Sequence, residues 1–191
     1  MNTVQINEAL TSDPAVGPCF LGVFPCDKLP THIRSFPAAV VANTDPSYAS
    51  GEHWVAFFFD NNGNAEYFDS YGFAPVNCNL MRFFEQNGKN HTWNKEQLQS
   101  MASKVCGQWC IAYLAKRSRG QSRAQIVHSL KTDSKAESDY RVGQLVNEAF
   151  DIVKQIQHHP KSRQNGSGKY HSSRNLPIQC CCSLSDKLRL N

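Results

Sequence analysis

Four residues of this 191-residue chain have types and an order suited to nucleophilic chemistry: His53, Asp69, Gln99 and Cys106. Cys106 is followed by Gly107 and opens an apolar stretch of helical periodicity, which places its sulfur at a helix start. Free N–H groups and the positive end of the helix dipole favour thiolate over thiol there. A thiolate paired with an imidazolium is an activated nucleophile, its pKa lowered from roughly 8.5 to about 3.5–7.5. His53 is the imidazole, and an Asp beside it fixes the tautomer and stabilises the protonated ring. The N–H of Cys106 can point at a developing oxyanion. Gln99, seven residues upstream, can add a side-chain amide, and one such donor is worth about 10²–10³ in rate. Gly107, lacking a Cβ, lets a substrate carbonyl come close. Each residue alone has a plainer reading: a structural His at a strand start, a small core thiol, a turn-capping Asp. Their order and setting argue for chemistry.

These side chains need elements to hold them. His53–Asp60 is aromatic and reads as a strand, Asn61-Asn62-Gly63-Asn64 as a turn, and Ala65–Asp69 as a second strand. A hairpin sets the start of one strand beside the end of the next, so His53 and Asp69 become neighbours although 16 residues apart. The run after Pro37, to Asn43, reads as a buried strand. Helices are expected at Asn7–Leu10, Leu80–Gln86, Cys106–Ser118 and Ser122–Leu130, with Gly120 as a stop. Asp139–His158 is amphipathic, with Val142, Leu145, Val146, Phe150, Val153 and Ile156 on one stripe. The class is α+β: a small central mixed sheet carrying the hairpin, packed against helices that mostly follow it. One domain spans 1–159, and 160–191 has the composition of a basic, flexible tail.

Composition narrows the function. The 11 Phe, 6 Tyr and 3 Trp argue for a folded core. No apolar run reaches the roughly 18 residues of a membrane span, and residues 1–10 have no basic or apolar signal region. The eight cysteines are therefore read as reduced thiols rather than as a disulfide scaffold. Cys106-x3-Cys110 is poor zinc spacing with no second pair near, so no metal site is expected. The net charge of +4 is uneven: −5 over 1–103, +6 over 104–135, −2 over 136–159 and +5 over 160–191. Two basic segments suit a polyanion, as non-specific affinity for nucleic acid or simply as a solvated basic surface.

Gly17-Pro18, Phe20-Leu21-Gly22, Asn43-Thr44, Gly51-x-His53-Trp54, Phe68-Asp69-x-Tyr71-Gly72-Phe73 and Gln99-x6-Cys106-Gly107-x-x-Cys110 together resemble the adenovirus-type cysteine proteases (adenain), in order and near-equal spacing. The His-Trp, Tyr-Phe-Asp-Ser and Cys-Gly set is also similar to the SUMO-specific proteases of the same papain-like fold family. The match covers about residues 15–115. The Gly-Pro-x-Phe-Leu-Gly segment and the seven-residue Gln–Cys spacing favour the viral branch.

The resemblance implies a cysteine endopeptidase with His53 as general base, Asp69 as its orienting acid, Cys106 as nucleophile, Gln99 as oxyanion donor and Trp54 packed beside them. It implies cleavage of viral precursor proteins at Gly-containing sites during virion maturation in the host nucleus, by a monomer away from membranes. It also implies two cofactors, DNA and a short viral activating peptide. Three features depart from the family. The acid is Asp69, as in the cellular branch, where adenoviruses often have Glu. The interval that holds the peptide-linking cysteine in adenoviruses holds only Cys78 here, close to the acid. The tail with Cys180-Cys181-Cys182 has no counterpart. Two other readings stay open: a deubiquitinase-like or deSUMOylase-like isopeptidase, and a non-enzymatic, basic nucleic-acid-binding protein.

Overall fold

The computed structural model describes residues 1–158. The expected tail at 160–191, with its Cys triplet, lies outside the described residues.

The hairpin expected from the aromatic run forms the middle of the sheet. β3 (Trp54–Phe59) and β4 (Asn64–Phe68) pair antiparallel, Ala56 opposite Phe68 and Phe59 opposite Ala65. Gly63, at φ +78°, makes the turn between them. β2 (Ala38–Asn43) runs antiparallel to β3 on its other side. Two further strands complete a mixed five-stranded sheet in the order β1-β2-β3-β4-β5. β1 (Phe20–Pro25) is parallel to β2, and β5 (Lys89–Trp93) is parallel to β4.

Side chains alternate across a strand, so a sheet covered on both faces supplies two cores. Val40, Val55, Phe57, Phe59 and Tyr67 meet α2 (Cys78–Asn87) through Leu80, Phe83 and Phe84. Val41, Ala56, Phe58 and Phe68 meet α3 (Cys106–Ser118) through Trp109 and Tyr113, with Phe68 stacked on Tyr113 at 4.2 Å. α1 (Thr3–Ser12), α4 (Arg123–Leu130) and α5 (Lys135–His158) pack around α3. The class is α+β, as the sequence pattern implies.

α3 is therefore the core helix, buried along most of its length. Both of its ends are tied to neighbouring elements. Asp139, on α5, accepts from the Trp109 indole at 2.8 Å and from the Ser100 N–H at 2.9 Å, tying α5 to α3 and to the turn before it. At the other end of α3, Arg119 bonds Asp13 at 3.0 Å, and both side chains are buried. Gly107 has a packing reason in addition to the expected one. A Cβ there would lie 3.1 Å from the Ile6 side chain and 3.3 Å from that of Met1, so the glycine serves the close approach of α1.

Candidate active site

Asp69 directly follows β4, and His53 directly precedes β3. Continued past its last pair, the hairpin register sets His53 opposite Tyr71 and brings Asp69 within diagonal reach. His53 Nε2 lies 2.8 Å from Asp69 Oδ1, with side-chain exposures of 14% and 3%. A pair this sheltered holds one ring orientation. The Tyr71 ring stacks on the imidazole, with centroids 4.7 Å apart and planes 29° from parallel.

The other ring nitrogen, Nδ1, is buried and has no partner at hydrogen-bonding geometry. His53 and Cys106 are close enough for each group to move the other's ionisation. Such contacts tighten when substrate binds. Burial disfavours the His53 imidazolium, but the hydrogen bond and charge of Asp69, together with Cys106, outweigh it and raise the His53 pKa to about 9. Burial pushes the Cys106 thiol up, but His53 and the backbone N–H groups of Trp54 and Gly107 outweigh it and bring the pKa below the ordinary thiol value. Cys110, one turn along and fully buried, is pushed well above it. Burial raises Cys19 as well. The surroundings thus lower the pKa of one sulfur and raise that of its helical neighbour.

Position at the helix start adds to this. Val105 caps α3 without a side-chain hydrogen bond, so no side chain competes for the N–H groups of its first turn. Of these, the Gly107 N–H acts on the Cys106 sulfur, and a helix start favours negative charge placed there.

Gln99 lies against this group but is fully buried. Its Oε1 accepts from the Ser70 hydroxyl at 2.7 Å. Its Nε2 is within reach of the Ser103 carbonyl and hydroxyl, each at 3.0 Å, and of the Tyr71 hydroxyl at 3.3 Å. The four residues singled out by sequence are thus gathered at one place: three in a chain from carboxylate to imidazole to sulfur, and Gln99 linked to them through Tyr71.

Sequence reasoning passed over three supports. Asn94 holds the backbone of Asp69. Ser70 accepts at its carbonyl from the N–H groups of Leu98 and Gln99, each at 2.9 Å, which ties the turn after the hairpin to the segment carrying Gln99. Asp139 anchors the next turn. Asn and Ser are common in loops and carry no signature of such roles; Tyr71 stood in the matched motif, but its stacking depends on register.

No family model and no curated protein matches the chain. Among solved structures it is similar to the ASFV pS273R protease, at 24% identity and a TM-score of 0.41, over 55% of this chain and 43% of that one. The chain spans less than half the length of that protein. So loose a likeness carries no argument about chemistry, which rests on the geometry of the site.

Proposed function

We propose that the protein is a cysteine peptidase in which Cys106 is the nucleophile, His53 its proton acceptor and donor, and Asp69 the group that orients His53. The observation that carries this is the contact from Asp69 Oδ1 to His53 Nε2 at 2.8 Å, with the same imidazole helping to hold the Cys106 thiol below its ordinary pKa. The Cys106 sulfur attacks a carbonyl carbon, the helix-start N–H groups receive the charge on oxygen, and His53 returns a proton to the departing amine. Water then hydrolyses the thioester with His53 as base.

The motif order supports a finer reading: an adenain-like endopeptidase that cuts viral precursor proteins at Gly-containing sites in the virion and host nucleus. DNA and a short viral peptide would be its activators. The charge supporting DNA contact is smaller than composition alone suggests, since Arg117, Arg119 and Lys131 in the basic 104–135 segment form ion pairs with Glu66, Asp13 and Glu96. The second reading is an isopeptidase of the SUMO-protease kind, favoured by Asp69 standing where adenoviruses often have Glu.

Incubation of purified protein with Gly-containing peptides and with Gly-Gly-linked ubiquitin and SUMO conjugates tests both. Cleavage lost in Cys106→Ala, with the circular dichroism spectrum kept, supports the peptidase reading. The substrate cut faster separates its two forms. Full turnover in Cys106→Ala overturns it.

A further inference from the structure

Fully buried Gln99 presents no surface to a substrate, and its two N–H groups already face three acceptors: the Ser103 carbonyl, the Ser103 hydroxyl and the Tyr71 hydroxyl. Tyr71 is different. It is half-buried, its ring lies against His53, and its oxygen accepts from Gln99 while its O–H has no acceptor among the described residues. The hydroxyl meets Gln99 Nε2, itself 3.0 Å from the carbonyl of Ser103, the residue three before Cys106, which sets the phenol beside the start of α3.

We propose that the Tyr71 hydroxyl is the side-chain donor to the oxyanion, with Gln99 behind it as a positioning residue. This rests on the peptidase reading above. When the Cys106 sulfur bonds to the carbonyl carbon, the C=O π pair moves to oxygen, and that oxygen accepts the Tyr71 O–H. No proton is transferred. When the tetrahedral adduct collapses, the C–N bond breaks, the amine takes its proton from His53, and the hydrogen bond to Tyr71 weakens again. Gln99 donating into the phenol oxygen makes its O–H a better donor, because hydrogen bonds in a chain polarise one another.

The backbone is built to hold Tyr71 in this place. Its N–H donates to Asp69 Oδ1 at 2.7 Å, so the carboxylate that orients His53 also orients the residue stacked on it. Gly72 N–H closes the turn on the Asp69 carbonyl at 2.8 Å. Burial and the charge of Cys106 raise the Tyr71 pKa, which keeps the donor proton in place.

The test is Tyr71→Phe, which keeps the stacked ring and deletes the hydroxyl. Two readouts are needed: hydrolysis of an acyl-Gly-Gly-aminocoumarin amide, which passes through an oxyanion, and alkylation of Cys106 by iodoacetamide, which does not. The expected result is a fall in kcat of about 10²-fold, the effect of one oxyanion donor, with KM and the alkylation rate within about two-fold. Gln99→Ala should lower kcat less, and the double variant should be no slower than Tyr71→Phe alone, because the two act in series. A Tyr71→Phe protein that keeps kcat within two-fold, or a Gln99→Ala loss that adds in full to it, overturns the inference and leaves the peptidase reading standing. A wild-type Cys106 that alkylates no faster than Cys110 ends both.

Discussion

Asn94 grips the backbone of Asp69 from both sides: its Nδ2 donates to the Asp69 carbonyl at 2.6 Å, and its Oδ1 accepts from the Asp69 N–H at 2.9 Å. Both residues are buried, so neither backbone group has water as a substitute. Asn94→Ala leaves a donor and an acceptor unmet, at about 1–3 kcal/mol each before relaxation. The expected outcome is a lower urea midpoint together with a lower kcat, because the Asp69 carboxyl loses its fixed place against His53. Asn94→Asp replaces the donor to the Asp69 and Glu96 carbonyls by a carboxylate oxygen that repels them, and should be no milder than Asn94→Ala.

The ionisation of the pair sets a pH profile. Turnover needs thiolate on Cys106 and a proton on His53. Since the Cys106 pKa is lowered, the acid limb lies below the ordinary thiol value of 9.0. Since the His53 pKa is raised to about 9, the alkaline limb falls near pH 9. Asp69→Asn removes the largest group holding the imidazolium and should move the alkaline limb to lower pH, with kcat down by about 10²–10⁴. A kcat/KM profile of the free protein measures both limbs. Stability carries the matching sign for His53. Its contribution is complete below the ordinary imidazole pKa of 6.5 and is lost as pH rises through about 9.

Gly72 is where the turn and the Gln99 segment come closest. Its φ is +79°, and a Cβ there would lie 2.7 Å from the Glu96 carbonyl carbon and 2.9 Å from the Gln97 nitrogen. The atoms in the way are backbone, so the strain cannot be relieved by a rotamer change. Gly72→Ala should cost at least about 1–3 kcal/mol for the backbone conformation alone and displace Tyr71 and Gln99 together. Thermal unfolding and kcat should both respond. Gly120, at φ +85° but facing open space, is the control: Gly120→Ala carries only the backbone strain and should leave kcat unchanged.

What could be read from the sequence was what repeats or what is chemically rare. The Val55–Phe59 aromatic run and the Asn-Gly turn announce the hairpin, and the apolar periodicity after Cys106 announces α3. β1 was not visible because Gly22 and Pro25 interrupt a strand of only six residues. β5 was not visible because Lys-Asn-His-Thr-Trp is a polar edge strand, almost fully exposed, recruited by hydrogen bonds to β4 rather than by apolar burial. α1 and α5 run longer than their apolar stripes, since Asn2 and Gln5 form a capping box at one and the Ser134 carbonyl accepts at the start of the other. In the site, His53, Asp69 and Cys106 could be named from their types and order. Asn94 and Asp139 could not, because each acts by long-range contact with backbone or indole, and nothing in a single sequence marks that.

The central claim is that His53 keeps Cys106 ionised, and the most direct measurement is the iodoacetamide alkylation rate of each cysteine at pH 6–7, mapped by mass spectrometry, in the wild type and in His53→Ala. The account predicts that Cys106, though buried, reacts faster than the exposed Cys78, and that His53→Ala removes the difference. Cys78 reacting faster than Cys106 in the wild type, or a Cys106 rate unchanged by His53→Ala, would contradict it.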